Sequence, residues 1–265
     1  MPRRPPHLDA LLNDWPYEFG EVNARRAFGA DGRSVLQMRV DLGVLQLEVS
    51  GRPDGARPEG FESLADWIRQ RDAEADGSPW RLDADECAEV DREFVQYYHR
   101  RVAWLALREF LNATKDADHT LALMDLCAQH APNDEWVELH ERYRPFVLFH
   151  RTQAAALACL EEGEPRQAID ALDAGLEQIA DAILGDSFDG ALPAAADPYT
   201  VGEESADRFL ADADFADKLR TLRQSIVAEY GLQPTLEDQL SEAIANEQYE
   251  RAAQIRDRIS EQRDR

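Results

Sequence analysis

The chain has 265 residues, 44% of them apolar and 31% charged, with 29 basic against 53 acidic side chains and a formal net charge of −24. That length allows one or two domains, and that apolar share builds a packed core under a charged surface. So negative a charge repels nucleic acid unless a local basic patch overrides it. The longest apolar stretches, such as 145–149 and 154–160, are too short to span a bilayer.

Arg25-Arg26, Arg100-Arg101 and the C-terminal arginines are candidate basic patches, but each is mixed with acids, so they read as solvated surface charge. Direct nucleic-acid binding and membrane binding are therefore not expected. The start Met1-Pro2-Arg3-Arg4-Pro5-Pro6 is basic, but no apolar run follows it as in a secretory signal, and a cytoplasmic location is the expectation. Cys87, Cys127 and Cys159 are widely spaced, form no Cys-x-x-Cys pair, and read as small apolar residues on helices.

Residues 1–14 read as a loose arm. From about Glu21 to Val49 the pattern is β, with a hairpin turn at Asp31-Gly32. Leu36, Met38, Val40 and Leu42 alternate with polar residues, and after Gly43-Val44 the apolar set becomes Leu45, Leu47 and Val49. A two-residue hairpin that starts at Gly43 explains the slip, placing Leu42 opposite Leu45 and Val40 opposite Leu47; a bulge at Gly43 is the alternative. The preferred result is a three-stranded antiparallel meander over residues 1–60, which needs helices against its apolar face.

Residues 61–184 supply them. Phe61, Leu64, Trp67 and Ile68 have helical spacing, Asp76-Gly77-Ser78-Pro79 ends that helix, and Asp83 caps a long helix running to about Asn112. The stretch 101–134 resembles a tetratricopeptide repeat: Trp104, Leu107 and Leu111 take the first-helix positions, and Thr120, Met124, Cys127 and Pro132 the later ones. A second unit spans 149–182, with Leu160-Glu161-Glu162-Gly163 ending one helix and Ala168, Ile169, Leu172, Gly175 and Leu176 on the next. Residues 135–148 separate the two units, and Pro145 should kink or end a helix there. An ordinary bundle of helical hairpins gives the same spacing, and both readings stay open. Residues 185–205, rich in Gly and Pro, read as a loop or linker. A helix follows at 206–231, with Leu210, Phe215, Leu219, Leu222, Ile226 and Val227 on its apolar side, ended by Gly231 and Pro234.

The last segment, 232–265, carries the densest pattern. Leu236, Leu240, Ala243 and Ile244 are spaced for one helix, with Thr235 as its cap and Asp238 three residues on. Asn246-Glu247-Gln248 forms a turn, and Tyr249, Ala252, Ala253, Arg256 and Ile259 mark a second helix. The adjacent alanines predict close helix approach, and Glu250, Arg251, Arg256 and Asp257 line its edges with charge. This segment resembles the UVR (UvrB/UvrC) motif, through Leu236, Leu240, Ala243, Glu247, Tyr249, Glu250, Arg251, Ala252, Ala253, Ile255, Arg256, Asp257 and Ile259. The motif's trailing Leu after Ile259 is absent.

The resemblance implies a protein contact and no catalysis: the motif joins excision-repair subunits and recurs in activators of protein-arginine kinases and in Clp-type ATPases. Leu236, Leu240, Ile244, Tyr249, Glu250, Arg251, Ala252, Ala253, Arg256, Asp257 and Ile259 are then the partner-binding set. The start Asp14-Trp15-Pro16, the run 39–48 and Gly51–Gly55 also resemble the N-terminal part of bacterial UVR-motif proteins.

The chain has no phosphate-binding Gly-x4-Gly-Lys-Ser/Thr loop, no His-Glu-x-x-His and no Gly-x-Ser-x-Gly. His119, His130, His140 and His150 are not spaced to share a helix face and read as solvated or core residues rather than metal ligands. The expectation is an α+β, mostly α protein: a small N-terminal antiparallel β-meander, a tetratricopeptide-like helical bundle and a C-terminal UVR αα-hairpin. It is expected to be a non-enzymatic adaptor or regulator without cofactor, metal or catalytic residues, whose hairpin binds another protein or a second copy of itself. The alternatives are an accessory of nucleotide-excision repair that contacts an excinuclease subunit, and an unrecognised enzyme.

Overall fold

The computed structural model describes residues 8–185, 215–246 and 248–263. Within these, a short helix and three antiparallel strands precede a run of helices, and the chain divides into two compact units, Met1–Leu219 and Arg220–Arg265. No helix among the described residues is long and apolar enough to cross a membrane. The segment expected to be a loose arm instead holds a short helix α1 (Asp9–Asp14) with no buried residue. Of the loop expected at 185–205, only Gly185 is described, and residues 206–214 of the following helix also lie outside the described residues.

The sheet has the order β1 (Asn23–Phe28), β2 (Ser34–Val40) and β3 (Gly43–Glu48). Gly32 takes the positive φ that the β1–β2 turn requires. The β2–β3 turn differs from expectation. It is made by Asp41 and Leu42, so Val40 pairs with Gly43, Met38 with Leu45 and Leu36 with Leu47. Leu42 therefore stands at the turn tip, 90% exposed, and not in the core. Arg39 fixes this turn: its guanidinium donates to the carbonyls of Trp15, Val40, Asp41 and Gly43.

The inner face of the sheet is the apolar alternation. Leu36, Met38, Val40 and Leu47 pack on Ala103, Trp104, Phe110, Ala113, Ala154 and Ala158 of the helices. Small residues at four of those six positions let the helices come close to the strands. Helix α2 (Leu64–Ala75) starts at Ser63, whose hydroxyl accepts from Asp66 N–H, and ends at Asp76 and Gly77, both in left-handed backbone. Helix α3 (Ala84–Ala106) opens with a reciprocal capping box between Asp83 and Glu86. It stops earlier than expected: Arg108 turns to φ 60°, and Glu109 N–H returns to the Trp104 carbonyl. Helix α4 (Phe110–His130) then runs back along α3.

Helix α5 (Asp134–Glu141) is short and capped by Asn133. In α6 (Arg144–Glu161) Pro145 sits in the first turn, where its missing N–H costs nothing. Gly163, at φ 77°, reverses the chain into α7 (Pro165–Gly185), and α6 and α7 cross tightly at Gly175, where an added Cβ would lie 2.0 Å from the Thr152 hydroxyl. Two helical hairpins, α3–α4 and α6–α7, thus make the body, joined by α4 packing on α6.

Arg100 and Arg101, read from sequence as solvated charge, are 4% and 1% exposed. They face inward because the body holds partners for them. Arg100 makes a bidentate pair with Asp116 at 2.9 and 2.7 Å and donates to the carbonyls of Glu48 and Gly51. Arg101 donates to Thr120 Oγ1 at 3.0 Å and to His150 Nδ1 at 3.3 Å. Burial lowers the Arg101 guanidinium to about 10, and desolvation between Phe146 and Phe149, with the Arg101 charge beside it, holds the His150 imidazole well below its usual range. Glu93, fully buried, accepts from the Leu64 and Ala65 amides at the start of α2 and from His119, and lies 3.9 Å from Arg52.

Candidate docking surface on the C-terminal hairpin

Helix α8 (Phe215–Tyr230) ends at Gly231, at φ 58°, with Leu232 N–H closing on the Val227 carbonyl. Then α9 (Leu236–Ala245) and α10 (Tyr249–Arg263) form an antiparallel pair. Thr235, expected as the cap of α9, accepts from Arg223 Nη2 at 3.3 Å. Gln248 N–H returns to the Ala243 carbonyl at 2.7 Å and tightens the turn, and Arg251 donates to Gln248 Oε1. Glu247 lies outside the described residues.

The seam between the helices is Ala243, Ala252 and Ile255, flanked by the partly buried Leu236, Leu240 and Ile259. Of Tyr249, Ala252, Ala253, Arg256 and Ile259, which marked the second helix in the sequence, only Ala252 and Ile259 belong to the seam. Ile255 is 4% exposed, whereas Ala253 and Arg256 face water. One alanine of the pair therefore gives the close approach, not both. Ile255 was legible from its three- and four-residue spacing to Ala252 and Ile259.

The eleven expected partner-binding residues fall into two groups. Leu236, Leu240, Ala252 and Ile259 are spent inside the hairpin. Ile244, Tyr249, Glu250, Arg251, Ala253, Arg256 and Asp257 are exposed, and among them Ile244 at 53% and Tyr249 at 67% are large apolar side chains in water.

Helical geometry says which way they point. Each residue advances about 100° around its helix. Ile244 follows the seam residue Ala243, Ala253 follows Ala252, Arg256 follows Ile255, and Tyr249 lies one turn before Ala253. All four are thus rotated from the seam in the same sense. In an antiparallel pair of right-handed helices, an equal sense of rotation brings side chains to the same broad side of the pair. Ile244, Tyr249, Ala253 and Arg256 share one face; Gln239, Asn246, Arg251 and Arg258 occupy the opposite, wholly polar one.

No curated protein and no solved structure matches the chain. Residues 232–264 match the family model of the UvrB/uvrC motif, and the segment that folds as α9, its turn and α10 is a UVR motif.

Proposed function

We propose that this chain is a non-enzymatic adaptor or regulator that docks another protein through one face of its UVR hairpin. UVR motifs occur in proteins that interact with other proteins or with DNA-repair components. The observation that carries the reading is the pair Ile244 and Tyr249, exposed on the same face although the hairpin has an apolar seam that could have taken them. A hairpin of about thirty residues buries little apolar surface, and large apolar groups in water on such an element mark a contact. Arg256 beside them favours a partner with acidic groups next to an apolar patch.

The test is a pull-down from native lysate with three full-length baits: the wild type, Ile244→Ala/Tyr249→Ala, and Arg251→Ala/Arg258→Ala on the opposite face. The expected result is a protein recovered by the wild type and the Arg251/Arg258 variant and lost with Ile244/Tyr249. Thermal stability should stay within about 0.5 kcal/mol throughout, because all four residues are at the surface. Equal recovery by all three baits refutes docking by this face. An excinuclease subunit as the captured protein would assign the chain to excision repair.

A further inference from the structure

Three cysteines are free thiols, and two of them are brought together by the packing of α3 on α4. The two helices run antiparallel, and their register is pinned on either side of the cysteines. At one end Tyr97 stacks on His119 at 3.7 Å, and Arg100 pairs with Asp116. At the other, Leu82 N–H bonds directly to the His130 carbonyl at 2.8 Å, so the start of α3 and the end of α4 lie in backbone contact. Between these points Cys87 and Cys127 fall at matching positions of the antiparallel register. They pack in one cluster with Val90 and Leu123 and are 8% and 2% exposed. Burial raises the Cys127 thiol, and the charge on Cys87 raises it further, as expected of close neighbours. Cys159, on α6, belongs to neither side of this contact.

We propose that Cys87 and Cys127 are a modification site, a latent disulfide that latches the start of α3 to the end of α4. The co-reactant is a low-molecular-weight disulfide of the oxidised-glutathione class. The Cys87 thiolate attacks it, forming a mixed disulfide and releasing one small thiol. The Cys127 thiolate then displaces the second small thiol and forms the Cys87–Cys127 bond. Two protein thiols are oxidised, one small disulfide is reduced to two thiols, and the two protons leave with them. Both sulfurs are buried, so the reaction follows transient parting of α3 from α4, and the bond reports that this end of the body has opened. A closed loop of about 40 residues restricts the unfolded chain and raises the melting temperature of the body.

The full-length chain is equilibrated in a reduced/oxidised glutathione series with mild urea, returned to buffer, denatured and alkylated. Thiols are counted by mass and the bridge is located by peptide mapping. The expected result is loss of two of the three free thiols, a Cys87–Cys127 peptide, and a melting temperature raised by about 5 °C or more that reverts with reductant. Cys159→Ser should keep this response and Cys127→Ser abolish it. Three free thiols at the oxidising limit, or a bridge that includes Cys159, overturns the proposal. The wild-type peptide map decides the matter even if a variant fails to fold.

Discussion

The helical body and the C-terminal hairpin solve the same problem with opposite materials. The body buries Arg52, Glu93, Arg100, Arg101 and Asp116 together with its apolar clusters, and each of these charges meets a partner or a polar neighbour. The hairpin holds together through six apolar side chains, three of them only partly buried, and Glu250, Arg251, Arg256, Asp257 and Arg258 lie at the surface. A buried ion pair adds little stability over a well-packed apolar one, but removing one member is costly because the other is left charged and dry. The body is therefore specified by polar geometry that tolerates few changes. The hairpin is specified by size and spacing.

The largest expected effect tests the body. Asp116→Ala leaves the Arg100 guanidinium buried without its carboxylate and should destabilise the protein by about 3–5 kcal/mol in urea unfolding. A loss below about 1 kcal/mol would mean that Arg100 reaches water and that the contrast between the regions is false.

A neighbouring pair sharpens the hairpin side. Ala252→Glu places a carboxylate in the seam and should cost about 2 kcal/mol or more, seen as loss of amide-exchange protection in α9 and α10. Ala253→Glu points to water and should stay within about 0.5 kcal/mol. Equal responses would show the seam to be misplaced.

A pH dependence separates the two regions in another way. Burial depresses His150 strongly and His99 in the same direction in the folded body, and both regain an ordinary value near 6.5 when unfolded. Below about pH 6.5 the unfolded chain takes up more protons. The stability they contribute is complete above that value and declines as pH falls, for His150 by up to about 1.4 kcal/mol per pH unit. Residues 232–265 contain no histidine, so the hairpin lacks this component. His150→Gln keeps an acceptor for Arg101 and should flatten the slope measured between pH 7 and 5. An unchanged slope would exclude His150 as its source.

The parts legible in the sequence were those set by local pattern. The meander followed from alternation and Asp31-Gly32, the start of α3 from Asp83, and the hairpin from its spacing. The β2–β3 register was not, because Leu42 reads as a core residue and only the Arg39 clamp on the turn carbonyls shows why it is not. The end of α3 was overrun because Arg108 adopts a left-handed backbone that glycine usually announces. Arg100 and Arg101 were read as surface because their partners are Glu48, Gly51, Asp116, Thr120 and His150, which no local window contains.

The carboxylate of Glu93 has a consequence for how the body assembles. It serves the first amides of α2, His119 of α4 and the guanidinium of Arg52, which follows the sheet. Shedding its water is unfavourable until every one of these has arrived. A half-built body, with α3 and α4 docked and α2 or the sheet astray, strands an ion in a greasy interior. Partial assemblies are thereby penalised, which ties the docking of α2 and of the sheet to the α3–α4 pair through one acid.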